Sequence, residues 1–174
     1  ADTNAEIYTR DVIDEAYPDK FSIAAPNIYK SFIADMDTLK AGGKINDWEA
    51  IPYDWRLSID DILLSGKKSG DNLSYLEATT SPYLIQELKR LARGSKTGKV
   101  TIIAHSNGGL VAKALMARLG ETTSAELIDK VILVASPQVG TPEAIGGLLH
   151  GHEQGIPSIP LYLSPGTARA LAKN

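Results

Sequence analysis

The chain has 174 residues, enough for one domain with its own core, and its 43% hydrophobic and 22% charged residues are those of an ordinary globular protein. A net charge of −3 excludes a general attraction to nucleic acid or anionic membranes, and no apolar run approaches the ~20 residues that span a bilayer. There is no cysteine, which excludes disulfides, thiolate metal sites and a cysteine nucleophile without fixing a compartment, and the acidic, broken start ADTNAEIYTRDVIDEAYPDK does not read as a signal peptide.

Residues 1–26 form a weakly patterned lead-in, with Ile7, Tyr8, Val12 and Ile13 as one short element and Phe21–Ala25 as a short strand. Pro26-Asn27 opens an amphipathic helix capped by Asn27, with Ile28, Phe32, Ile33, Met36 and Leu39 on one face and Gly42-Gly43 as its stop. WEAIPY, from Trp48 to Tyr53, reads as a strand ending near Pro52, followed by Asp54-Trp55-Arg56. Ser58 caps a helical turn to Leu64, and SGKKSGDN, from Ser65 to Asn72, reads as a polar loop. Ser81-Pro82 starts a helix with a buried stripe of Leu84, Ile85, Leu88 and Leu91 that stops at Gly94.

The most informative stretch is KVTIIAHSNGGLVAKAL, Lys99 to Leu115. Its β-branched run Lys99–Ala104 reads as a strand buried on both faces. Leu110, Val111, Ala114, Leu115 and Leu119 then recur at helical spacing up to Gly120, and His105–Gly109 must turn the corner between strand and helix. A serine on such a junction has the form of a nucleophile elbow. The sharp turn calls for small residues two before and two after the serine, here Ala104 and Gly108. It lifts the Ser106 hydroxyl above the sheet, aims the positive end of a helix at the same space and offers the Asn107 backbone N–H to an oxyanion.

Thr123 or Ser124 caps a short piece before the next strand, Lys130–Ala135, and the loop from Ser136 leads to a helix over 142–149. Residues 151–160 are rich in Gly and Pro, and a last helix starts near Ser164-Pro165 or Thr167. Helices alternating with strands predict an α/β fold: one domain over 1–174, with an open, mostly parallel sheet flanked by helices.

With the elbow, Pro52-Tyr53-Asp54-Trp55-Arg56 and Gly140-Thr141-Pro142 in hand, the chain resembles the α/β-hydrolases. It is most similar to the lipase branch that holds lecithin:cholesterol acyltransferase-like proteins and related bacterial esterases. There an AHSxGG elbow, here Ala104 to Gly109, follows a PYDWR-like segment and precedes a G-[TS]-P loop. The resemblance covers about residues 27–174 and implies a serine ester hydrolase or acyltransferase acting on acyl esters, lipid-like ones above all, with no cofactor. It implies Ser106 as nucleophile and Asn107 as backbone oxyanion donor, with Trp55 and His105 as substrate-binding candidates and residues 150–174 in the place of a lid.

The pattern is incomplete in this chain. The resemblance implies a late acid and a late histidine, each after its own strand. His105 neighbours the serine, His150 and His152 fall in a Gly/Pro-rich region, and Asp129 starts a strand although catalytic groups gather at strand carboxyl ends. The upstream strand that carries the second oxyanion donor has no counterpart in residues 1–26, which would leave a gap between WEAIPY and KVTIIA. These departures, with Ala1 as first residue, predict an internal fragment of a larger hydrolase, weak or inactive alone, whose open sheet edges invite strand exchange or self-association. The alternative is a non-catalytic α/β-hydrolase-like module for binding or assembly. No phosphate-binding glycine loop, metal-ligand cluster or basic aromatic patch points elsewhere.

Overall fold

The computed structural model describes residues 9, 11–14, 27–75 and 78–142. The chain divides into two compact units, Ala1–Ser136 and Pro137–Asn174. The first is a mixed α/β unit: α1 (Lys30–Ala41), α2 (Ile59–Leu64), β1 (Lys67–Ser69), β2 (Asn72–Ser74), α3 (Tyr83–Gly94), β3 (Val100–His105), α4 (Gly108–Leu127) and β4 (Ile128–Val134). In the second, the described residues 137–142 open with a turn in which the Gly140 amide donates to the Pro137 carbonyl at 3.1 Å. The lid-like 150–174 segment, with His150 and His152, lies outside the described residues, as does most of the 1–26 lead-in.

β3 and β4 run parallel, in register from Thr101 opposite Lys130 to His105 opposite Val134, and α4 makes the crossover between them. Gly120 (φ 78°, ψ 166°) breaks α4 where the sequence predicts a stop, and a further helical run carries the chain to Leu127. Ile62, Leu63, Leu88, Val111, Leu115 and Ile128 form the core, with Val100, Ile102 and Val131 packed against it. Helices α2, α3 and α4 therefore cover one face of the pair. On the other face Ile103 and Ile132 are 44% and 45% exposed, which corrects the expectation of a strand buried on both sides. Alternation along β3 sends Ile102 and Ala104 one way and Ile103 the other, and among the described residues no second layer covers the latter.

α2 is built as the sequence predicts. The Ser58 hydroxyl accepts from the Asp61 amide at 3.1 Å and donates to its carboxylate at 2.7 Å. Asp60 and Asp61 sit at the positive helix end, and Ile62 and Leu63 are wholly buried. α1 also forms, but Asn27 does not cap it: Tyr29 holds the N-cap position, while the Asn27 side chain accepts from the Ser31 amide. None of its residues is buried, and Ile28, Phe32 and Leu39 stay 40–46% exposed.

Two expectations fail on either side of α2. The WEAIPY segment forms no ladder with any described strand. Pro52 has no N–H to donate, and side chains hold the stretch instead. Arg90 reaches Asp47 at 2.9 Å and Glu49 at 3.4 Å, the Trp48 indole donates to Asp37 at 3.0 Å, and the Tyr75 hydroxyl donates to the Pro52 carbonyl at 3.0 Å. The polar SGKKSGDN stretch, by contrast, is a hairpin: β1 and β2 pair antiparallel around Gly70-Asp71, with Gly70 at φ 58°. Leu73, 2% exposed, is the hairpin's buried side chain, and Thr9 exchanges two backbone hydrogen bonds with Leu73 at 2.9 and 2.8 Å.

Candidate active site

The corner after β3 is fixed by backbone bonds on both sides of Ser106. Its amide donates to the Val134 carbonyl at 2.9 Å, which carries the β3–β4 ladder one residue past the strand. The backbone then turns to φ +51° at Ser106, a left-handed conformation that serine rarely adopts. The Ser106 carbonyl accepts from Gly109 at 3.1 Å, and the Asn107 carbonyl accepts from Leu110 and Val111 at 3.0 and 3.2 Å, so the helix begins at once. Asn107 occupies its N-cap position with helical angles. Its amide is one of the first-turn donors for which a helix has no internal acceptor. Ser106 is exposed and Asn107 half-buried.

The demand for small residues falls one position later than the sequence suggests. A Cβ at Gly108 would meet the Tyr53 hydroxyl at 3.9 Å and the Ala104 Cβ at 4.0 Å, which are ordinary contacts. A Cβ at Gly109 would lie 2.1 Å from Ser136 Oγ and 2.5 Å from Ser136 Cβ. Ser136 follows the end of β4, where Ala135 is also left-handed at φ 48°, and its hydroxyl donates to the Ala104 carbonyl at 3.4 Å. The second glycine of the AHSNGG string thus lets the first turn of α4 press against the end of the neighbouring strand.

The flanking side chains each meet a tyrosine. His105 Nδ1 is 2.6 Å from the Tyr29 hydroxyl, with the two rings edge-on at 5.6 Å. Asn107 Nδ2 donates to the Tyr53 hydroxyl at 3.4 Å. Burial raises the Tyr53 phenol above its ordinary pKa of 10.0, so at neutral pH it is an uncharged acceptor that keeps its own proton. Neither tyrosine stands out in the sequence as a site residue. The contacts span 76 and 54 residues, and no periodicity reports such a pairing.

Beyond Tyr53 the chain folds back on itself. Arg56 grips the Asp54 carboxylate through Nε at 2.8 Å and Nη2 at 2.6 Å, and its amide adds a third bond at 3.1 Å. Arg56 holds the Asp54 carboxyl below its ordinary range. This chelate leaves Trp55 at the tip, 75% exposed and packed into no core.

Over residues 13–174 the chain matches the family model described as lecithin:cholesterol acyltransferase. It belongs to the lecithin:cholesterol acyltransferase family. No curated protein and no solved structure matches it. The matched range takes in every part of the corner described above, from Tyr29 through the PYDWR segment to Ser136.

Within this family member, the described residues bring no carboxylate–histidine pair to Ser106. His105 is engaged by Tyr29, and Asp129 lies at the amino end of β4, the end away from the corner, beside Lys130 at 3.3 Å. Among the described residues there is also no group of three or more His, Asp or Glu able to hold a metal ion.

Proposed function

We propose that Ser106 is the nucleophile of an acyl-transfer reaction on lipid-like acyl esters, with water or an alcohol as acceptor. One observation carries the reading: in a member of the lecithin:cholesterol acyltransferase family, Ser106 holds a left-handed φ of +51° between a parallel strand and a helix N-terminus. Strain of this kind persists where surrounding structure over-determines it, and it gathers at active sites. In the proposed reaction the Ser106 oxygen adds to the ester carbonyl, and a histidine outside the described residues takes its proton. The collapsing intermediate releases the alcohol and leaves an acyl-serine, which water or an acceptor alcohol then cleaves. The Asn107 amide donates to the negative oxygen of the intermediate, a contribution of roughly 2.7–4 kcal/mol for one such donor. Trp55, 75% exposed, offers a large apolar surface to the acyl chain.

The test is hydrolysis of a p-nitrophenyl acyl ester by the full-length protein, run beside its Ser106→Ala variant, together with mass-spectrometric mapping of fluorophosphonate adducts. Turnover lost in Ser106→Ala, with the label on Ser106, supports the reading; hydrolysis that persists in the variant overturns it. The engagement of His105 by Tyr29 favours a second reading, a non-catalytic module for binding or assembly. That reading expects no label on Ser106 at any reagent concentration. The exposure of Ile103, Ile132 and Val134 on β3 and β4 supports self-association through the uncovered sheet face. Sedimentation of a monomer at every concentration would rule that out.

A further inference from the structure

The two hydroxyls that meet His105 and Asn107 come from segments well separated in the chain, and each segment is itself anchored. Tyr29 stands at the start of α1, where the amides of Ile28, Tyr29 and Lys30 all donate to the Asp14 carbonyl at 2.9, 3.0 and 3.2 Å. Tyr53 is held from both sides, by the Tyr75 bond to the Pro52 carbonyl and by the Asp54–Arg56 chelate. Between the two tyrosines sits a backbone whose natural tendency is to relax. Ser106 at φ +51° is tied to Val134 through its amide and to Gly109 through its carbonyl, and that carbonyl shares one peptide plane with the Asn107 N–H, so the single 3.1 Å bond from Gly109 is all the backbone offers to orient it. That plane determines where the Asn107 N–H points. A hold on the side chains on either side of the serine restricts its rotation.

We propose that Tyr29 and Tyr53 are positioning residues that clamp the two flanks of Ser106, Tyr29 through His105 and Tyr53 through Asn107, and so aim the Asn107 amide. The proposal rests on the reading of Ser106 as nucleophile for its catalytic meaning, but the clamp itself is a property of the fold. Tyr53 carries the larger share of the aim, since it holds the residue that supplies the donor. The half-buried Tyr53 phenol accepts from Asn107 and keeps its own hydrogen. Phenylalanine at this position preserves the ring and removes only the hydroxyl, and with it the acceptor for Asn107. A donor displaced from the developing oxyanion weakens the transition state and leaves ground-state binding almost unchanged, so the loss belongs in kcat and not in KM.

The experiment uses the full chain, its Y29F, Y53F and N107A variants and the N107A/Y53F double variant, with Y83F as control for loss of a phenol hydroxyl elsewhere. Hydrogen exchange at the Ser106 and Gly109 amides reads the clamp directly. Each of Y29F, Y53F and N107A is expected to speed exchange at these two amides about five- to tenfold, with Val111 and Leu115 unchanged. N107A/Y53F is expected to match its single parents, because one bond is removed only once. Exchange at Ser106 and Gly109 that is unchanged in Y53F, or that multiplies in the double variant, overturns the proposal. Ester turnover supplies the functional readout: Y53F is expected to lower kcat about ten- to a hundredfold with KM within about twofold, while Y83F leaves both in place. A kcat equal to that of the unsubstituted chain overturns the catalytic role of the clamp. Absence of any Ser106-dependent turnover falls on the nucleophile reading instead, and hydrogen exchange still decides the clamp.

Discussion

Gly109 offers the sharpest test of how the corner is built. In Gly109→Ala the new methyl carbon would lie 2.1 Å from Ser136 Oγ, 2.5 Å from Ser136 Cβ and 3.2 Å from Leu133 Cδ2. The leucine methyl ends a flexible side chain and can yield. Ser136 cannot move as readily, because its Cβ is fixed to the backbone after β4 and its hydroxyl is bonded to the Ala104 carbonyl. Overpacking of this kind costs about 1–3 kcal/mol. Alanine recovers part of that, up to about 1 kcal/mol in a helix interior and less in the first turn, where Gly109 sits. The net expectation is a loss of about 1–2 kcal/mol, or a midpoint lower by about 3–6 °C for a chain of this size.

Two further variants separate this cause from a general intolerance of substitution. Gly94→Ala, whose new methyl would meet only Asn46 Nδ2 at 3.8 Å, is expected to be neutral or slightly stabilising. Ser136→Gly removes both offending atoms, so the double variant Gly109→Ala/Ser136→Gly is expected to be more stable than the sum of its singles by at least about 1 kcal/mol. Urea unfolding followed by circular dichroism measures all of these. Additive singles, or a Gly109→Ala midpoint equal to the parent's, would show that the first turn of α4 does not press on the end of β4.

Ser106→Gly and Ser106→Ala are both expected to lack activity, yet Ser106→Gly should be the more stable by about 1 kcal/mol, since only glycine takes φ +51° without strain; equal stability in urea would refute this. Lys40 first and Arg90 second hold the Asp47 carboxyl down from 3.8 to about 2. Because the folded pKa is depressed, their contribution is full above the unfolded carboxylate's pKa of about 3.9 and is lost as pH falls toward the folded value. Asp47→Asn, whose parent carboxylate is partly exposed, is therefore expected to destabilise by up to about 1 kcal/mol at pH 6 and by little near pH 2.5, and a gap independent of pH would count against it. Tyr75→Phe leaves the buried Pro52 carbonyl without its donor and should cost about 1–3 kcal/mol, seen as a lowered urea midpoint. Trp55→Ala should change stability by less than about 0.5 kcal/mol while raising KM for long-chain esters, and an unchanged KM would remove Trp55 from the substrate surface.

Elements with local causes were legible in the sequence. Ser58 marked the start of α2, the leucine spacing marked α3, and the β-branched runs marked β3 and β4 within one or two residues. The family was legible too, because its signal lies in contiguous strings. What escaped depended on partners distant in sequence. WEAIPY has the composition of a strand, but a strand exists only when a neighbour accepts its hydrogen bonds, and none of the described strands does. The hairpin at Lys67–Ser74 was hidden because three-residue strands carry almost no alternation; its only local cue was the two-residue Gly70-Asp71 turn. At the candidate site, the turn through Ser106 and Asn107 was readable from the corner motif, whereas its contacts with Tyr29, Tyr53 and Ser136 were not.

These contacts explain how the corner holds an unfavourable conformation in a chain that has no cysteine for a disulfide. A left-handed serine costs on the order of 1–2 kcal/mol, more than one ordinary hydrogen bond returns. Here the cost is spread over four contacts from three segments. Val134 holds the Ser106 amide, Ser136 presses on the next helical turn, Tyr29 bonds His105 and Tyr53 bonds Asn107. Loss of any one contact leaves three, so single variants outside the serine should shift the corner without collapsing it. Loss of two from opposite flanks, as in Y29F/Y53F, should exceed the sum of the single effects on exchange at Ser106, because the remaining contacts no longer outweigh the strain. Strict additivity in that pair would mean that the two tyrosines hold separate structures and support the serine independently of one another.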